Sequence, residues 1–176
     1  MSVHTDKAYE SELKALRDRL LAGEERRDAR GRVQGFGARA PRLPAIPPHM
    51  LQPSVPYVRG KYYYFRNQLD EALAAFRAIA PGAKYHMHAQ YFIGESFFQR
   101  GKLAEAVEAF GRVVSTYPRS NVGGQARYKR GNCYERLNQP DRAREDYDIV
   151  IKTLGDTDAG RLAKQRLDAL NRARPE

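Results

Sequence analysis

"GKLAEAVEAF", residues 101–110, has two echoes in the same chain: "NQLDEALAAF" at 67–76 and, more loosely, "NQPDRAREDY" at 138–147. In each copy an alanine (Ala72, Ala106, Ala143) stands four positions before an aromatic residue (Phe76, Phe110, Tyr147). Four positions is about one helical turn, so the two share a face. Twelve residues before each alanine lies a glycine, Gly60, Gly94 or Gly131. Three after each glycine lies another aromatic, Tyr63, Phe97 or Tyr134. Seven after each glycine stand Asn67, Gly101 and Asn138, residue types that tolerate the left-handed conformation that ends a helix. The chain therefore spells helix, sharp stop, helix, three times over.

The copies are separated by 34 and then 37 residues. A period of about 34 residues with small and aromatic landmarks is the tetratricopeptide signature, two antiparallel helices per repeat. One such hairpin cannot bury its own apolar face and needs its neighbours to do so. The expected packing sets each glycine of a first helix against the alanine of a second (Gly60 with Ala72, Gly94 with Ala106, Gly131 with Ala143), with the aromatics filling the wider gaps. Pro140 falls where a helix begins, a place where its missing donor costs little, and Pro118 closes the second repeat. "TDAGRLAKQRLDALNRARPE" then supplies a closing helix, capped by Asp156 or Thr157, whose apolar side is Leu162, Ala163, Leu167 and Leu170. The predicted fold is all-α: a tetratricopeptide α-solenoid of three helix hairpins plus a C-terminal capping helix. Repeats are expected at about 53–86, 87–123 and 124–156 with the capping helix at 157–173, within a repeat domain at 57–176.

Upstream the character changes. Residues 1–30 are read as an amphipathic helix, with Tyr9, Leu13, Leu16 and Leu20 as a narrow apolar stripe suited to docking or oligomerisation. Residues 31–56 hold six of the ten prolines and three glycines, which excludes a helix or a central strand and predicts a linker. The whole chain has 176 residues, 31 basic against 21 acidic, for a net charge of +10. That balance favours acidic partners. A single cysteine, Cys133, excludes an intramolecular disulfide. No run reaches the roughly 18–20 apolar residues of a membrane span, and the first residues carry no secretory h-region. The expected location is cytoplasmic as the chain stands, or periplasmic if the chain is a processed or trimmed fragment.

Residues 89–137, "AQYFIGESFFQRGKLAEAVEAFGRVVSTYPRSNVGGQARYKRGNCYERL", resemble the repeat domain of the periplasmic Tol–Pal-associated cell-division coordinator family. Ala89, Tyr91, Phe92, Ile93, Gly94 and Glu95 fit that family's A-x-Y-W-L-G-E run. Gly101, Glu105 and Ala106 fit its G-x-x-x-E-A, while Tyr117, Pro118 and Ser120 fit its Y-P-x-S. Ala126, Lys129 and Gly131 fit its A-x-x-K-x-G, and "AGRLAKQRLDAL" is similar to its closing helix. The likeness covers roughly residues 57–172. It departs in lacking a signal peptide and in an irregular first repeat, where Pro56 and Arg59 occupy normally apolar positions and Pro81 comes early. The resemblance implies a non-enzymatic role in envelope constriction and in the regulation of peptidoglycan synthesis.

The first helix of each repeat lines the concave face of a solenoid. The positions three before, one after and four after each glycine read Tyr57, Lys61, Tyr64; then Tyr91, Glu95, Phe98; then Tyr128, Asn132, Glu135. A groove of repeated tyrosines with a few charges suits an extended peptide or a partner helix. Packing of the same tyrosines against the neighbouring repeat is the plainer alternative. His86 and His88 lie two apart, point in different directions and are expected to be exposed, so no metal site is expected. Cys133 reads as a core residue. Glu145, Asp146 and Asp148 read as a solvated charged face. "GRVQGFG" lacks the strand and Lys-Ser/Thr of a phosphate loop. No cofactor is expected and no catalysis. The leading reading is a protein–protein adaptor. The alternative is a basic helical repeat protein for nucleic acid or an anionic surface, since "RYKRGNCYER" and "RGKYYYFR" mix aromatic and basic residues, although the basic residues spread over the whole chain.

Overall fold

Three short sequence signals set the helix boundaries, and each recurs. Asn67, Gly101 and Asn138 all adopt positive φ, at 59°, 72° and 56°. Around each, the same two backbone bonds close the preceding helix. Gln68 N donates to Tyr63 O (2.9 Å), Lys102 N to Phe97 O (3.0 Å) and Gln139 N to Tyr134 O (2.8 Å). Asn67, Gly101 and Asn138 donate to Tyr64, Phe98 and Glu135, each at 3.0 Å. This is the Schellman arrangement, which satisfies carbonyls that a helix end would otherwise leave bare. The identical pattern at three places shows that the hairpin turns superpose from repeat to repeat.

The computed structural model describes residues 56–172. The amphipathic helix expected at 1–30 and the linker at 31–56, Pro56 apart, lie outside the described residues. Seven helices follow: α1 (Pro56–Phe65), α2 (Leu69–Arg77), α3 (His86–Gln99), α4 (Leu103–Thr116), α5 (Asn121–Arg136), α6 (Pro140–Leu154) and α7 (Asp158–Arg172). No strand occurs among the described residues. Pro56 and Pro140 open their helices, where the lost N–H bond costs nothing. Ser120 caps α5, its Oγ accepting from Gly123 N at 2.9 Å. Thr157 does the same for α7, accepting from Gly160 N at 3.2 Å. Each such cap is worth about 1 kcal/mol. The irregular first repeat shows in α2, which has 9 residues where α4 has 14 and α6 has 15.

The chain divides into two units after Ala72. In the first, α1 buries Val58, Gly60, Tyr62 and Tyr64, and Ala72 is fully buried. In the second, each helix from α3 to α7 packs on the next along the chain. In addition α3 touches α5 and α5 touches α7, whereas α4 and α6 do not meet. The first helices thus close up while the second helices splay. This geometry turns α3, α5 and α7 into the inner layer of the unit. The core runs between the layers: Ala106, Phe110, Val113 and Cys133 in one cluster, then Tyr134, Ala143, Tyr147, Val150 and Ala163 in the next.

At two of the glycine landmarks a ring comes closest. A Cβ at Gly94 would lie 2.6 Å from the ring of Phe110, and one at Gly131 would lie 2.5 Å from the ring of Tyr147. The aromatic four residues beyond the alanine presses most closely on the glycine. Ala106 and Ala143 are fully buried beside it. A ring face needs a flat floor, and only a missing side chain provides one. The closing helix differs from expectation in one place. Ala163 is buried and Leu167 and Leu170 pack on the core, but Leu162 is 44% exposed. It sits one residue before Ala163, about 100° round the helix, and so turns away from α6.

Candidate binding face

The predicted groove positions fall on α1 in the first unit and on the inner helices α3 and α5 in the second, and the structure sorts them by environment. In the first unit, Lys61 Nζ lies 5.5 Å from the Tyr57 ring centroid. Tyr64 is buried rather than presented, its ring edge-on to Phe65 at 5.4 Å. In the second unit, Tyr91 lies 5.7 Å from the core ring of Phe110, and Tyr128 lies 5.8 Å from that of Tyr147. Both tyrosines are half-buried. They lean on the core aromatics of the second helix and leave only part of each ring to the face.

The polar positions are largely spent on joining helices. Glu95, on α3, is buried and accepts from Lys129 Nζ of α5 at 3.0 Å. At the other end, Glu135 of α5 accepts from Arg166 of α7 through both Nε (2.9 Å) and Nη2 (2.5 Å). That forked pair raises the pKa of Arg166 above its ordinary value. The Tyr147 hydroxyl lies 2.5 Å from both Glu135 Oε1 and Asn132 Oδ1. One O–H cannot serve two acceptors, so the Asn132 amide must present its nitrogen to the hydroxyl. Burial, and then the bond to Glu135, push the Tyr147 phenol well above its usual range. Glu135 therefore closes the stack against α7, and Asn132 ties α5 to α6.

Phe98 is different. It is half-buried, with Lys129 Nζ 5.6 Å and the Arg136 guanidinium 4.9 Å from its ring centroid. Lys129 and Arg136 are two helical turns apart on α5 and reach the same ring. Neither was singled out as a groove residue from the sequence. The signal was there for Lys129: two before the glycine, the other repeats carry Val58 and Phe92. A lysine at an apolar position asks for a carboxylate, and Glu95 answers.

Residues weighed for chemistry fall as follows. Cys133 is fully buried, and desolvation pushes its thiol up to about 12, so it is protonated and shielded. The histidines are not the exposed pair expected. Both are half-buried, and His86 Nδ1 lies 3.0 Å from the Tyr117 hydroxyl, tying α3 to the end of α4. Glu145 and Asp148 are exposed as expected, but Asp146 is buried at 3% exposure. It accepts from Arg130 Nε (2.8 Å) and Nη2 (2.7 Å), with Arg127 Nη1 at 3.4 Å. This pair raises the pKa of Arg130. The reading missed Asp146 because charged neighbours surround it. Aligned on the alanine, its counterparts are Ala75 and Ala109, both buried. Among the described residues no helix is long and apolar enough to cross a membrane.

Comparison with known proteins agrees with the helix pattern. Residues 57–121 match the tetratricopeptide repeat family, and residues 125–157 match a second description of the same repeat. The chain carries tetratricopeptide repeats. "Protein CTR9 homolog" of Arabidopsis thaliana is 26% identical over 103 residues, covering 58% of this chain and 9% of that protein. The chain thus spans less than a tenth of that relative's length. Among solved structures, PcrH in complex with the chaperone binding region of PopB superposes with a TM-score of 0.56 at 15% identity, over 73% of this chain and 99% of that one. MamA superposes with a TM-score of 0.54 at 16% identity, over 98% of this chain and 90% of that one. At such identities the likeness is one of fold, an all-α tetratricopeptide solenoid.

Proposed function

We propose that this tetratricopeptide protein is a non-enzymatic adaptor whose inner layer, α3, α5 and α7, holds a peptide or helix of a partner protein. The observation that carries the reading is the packing asymmetry of the second unit: α3 touches α5 and α5 touches α7, whereas α4 and α6 do not meet. A layer closed on one side is hollow on that side, and the half-buried rings of Tyr91, Phe98 and Tyr128 line it. Such rings offer apolar area with few torsions to freeze, which is what binding hot spots require. PcrH, of the same fold, is seen with a segment of PopB, which supports the class of partner. The phrases resembling the Tol–Pal-associated family support a place in a bacterial envelope or division assembly.

Hydrogen–deuterium exchange of the full chain, with and without a peptide selected against it from a random library, tests the assignment. Protection should fall on residues 91–98 and 128–135. Protection confined to α4 and α6 would place binding on the outer layer and remove the reading.

A further inference from the structure

The inner face has a charge bookkeeping of its own. Glu95 of α3 and Glu135 of α5 are each taken by a cation from the next inner helix, Lys129 and Arg166. Lys129 is likewise used. Another cation stands beside them. Arg136, exposed in the last turn of α5, has no carboxylate partner among the described residues, and its contact there is the Phe98 ring at 4.9 Å. A helix C-terminus attracts a cation by its dipole, but that attraction leaves a long side chain free to wander. The ring of Phe98, itself held against the core, gives the guanidinium a face to rest on. An arginine so placed keeps its five donors in a fixed fork and loses little freedom when a carboxylate arrives.

We propose that the adaptor face selects acidic segments: an Asp or Glu side chain of the partner pairs with Arg136, and an adjoining apolar residue covers the free edge of Phe98. The proposal rests on the reading of the inner layer as the binding face and specifies the chemistry of its occupant. Charge complementarity points the same way, since the chain has ten more basic than acidic residues and Glu95 and Glu135 are already paired. Nucleic acid would also be drawn by a cation beside a ring. It asks for several cations following a backbone, whereas of the two cations on the Phe98 ring Lys129 is already bound to Glu95.

The test uses the full chain and peptides of about 12 residues selected by display, a length that spans two or three inner helices. Selected peptides should share an Asp or Glu next to an apolar residue. Changing that acid to its amide should weaken binding about tenfold, Arg136→Gln should do the same, and the two together should cost little more than either alone. Arg136→Lys should restore part of the affinity, and helical circular dichroism should be unchanged because Arg136 is exposed. Losses that simply add, or neutral peptides bound equally by wild type and Arg136→Gln, overturn the acidic assignment and leave the adaptor reading standing. A random single-stranded oligonucleotide that displaces the peptide, with affinity collapsing as salt rises, also overturns it in favour of phosphate binding. Failure to recover any peptide, or protection away from 91–98 and 128–135, overturns both.

Discussion

The second hairpin, α3 with α4, and the third, α5 with α6, share one plan and fill it with opposite chemistry. In both, a ring lies on a bare glycine and a fully buried alanine stands one turn before it. In the second hairpin the position three past that alanine is Ala109 and the ring is Phe110, so the contact is apolar throughout. In the third, the same two positions are Asp146 and Tyr147, tied to Arg130, Asn132 and Glu135. The shared plan is a matter of shape, because the glycine floor and the turn geometry ask only for a flat ring and a left-handed residue. The difference lies in what must be positioned. The third hairpin has α7 to hold, and a hydroxyl and a carboxylate fix a direction that a phenyl ring cannot. Desolvating charges is costly, and a buried pair of this kind is better understood as specifying an arrangement than as adding stability.

The comparison can be broken most violently at the glycines. Gly94→Leu and Gly131→Leu should each destabilise the protein by about 3 kcal/mol or more, since the added atoms start within the ring's own space. Urea unfolding measures it. Gly131→Leu should be the worse of the two, because Tyr147 is tethered through its hydroxyl and cannot swing aside. Equal midpoints for wild type and Gly94→Leu would mean that the ring does not sit where it is placed here.

Asp146→Ala comes next. It turns the third hairpin into the second by composition but strands Arg130 and Arg127, whose side chains are only 20% and 18% exposed. A loss of about 3 kcal/mol is expected, and a double change with Arg130→Met should recover most of it. Such recovery, read from the same unfolding curves, would show that the pair is replaceable by apolar packing. The mirror experiment, Ala109→Asp, should be at least as harmful, since Ala109 is fully buried and the counterparts of Arg130 and Arg127 on α3 are Ile93 and Gln90.

Smaller effects sharpen the contrast at the stack's end. Tyr147→Phe should cost about 1–2 kcal/mol and speed amide exchange in α7 more than in α4. The sign of its pH dependence follows from the raised phenol. Its contribution is complete below about pH 10, where the unfolded phenol is still protonated, and is lost as pH climbs beyond that. Tyr147→Phe should therefore lose less stability than wild type between neutral and strongly alkaline solution. Smallest of all, Leu162→Gln should change stability by less than about 0.5 kcal/mol, as for an open surface position. A larger loss in thermal unfolding would return Leu162 to the core.

The repeats, the turn residues, the Pro140 start and the Thr157 cap were legible because each is a local rule, whereas Pro56, read as the end of the linker, opens a helix. Positive φ at Asn67 or Asn138, or a proline in a first turn, depends on a few adjoining residues and the sterics of one backbone. The buried rings and alanines were legible for a related reason, since a repeated period shows which face is shared. The groove was less so. Tyr91 and Tyr128 were placed on the face by register, but how far their rings lean onto Phe110 and Tyr147 depends on helix separation. Asp146 looked solvated among charged neighbours on its own helix, and its partners come from α5.

What the sequence determined by itself is the list of helices and the phase of each, written in local sterics and in a period of about 34 residues. Only the tertiary structure decided which charges meet, because Glu95 with Lys129, Asp146 with Arg130 and Glu135 with Arg166 join residues 16 to 34 positions apart. Pairing across helices turns on angles and distances that no single helix carries, and it is this pairing that leaves Arg136 without a carboxylate among the described residues.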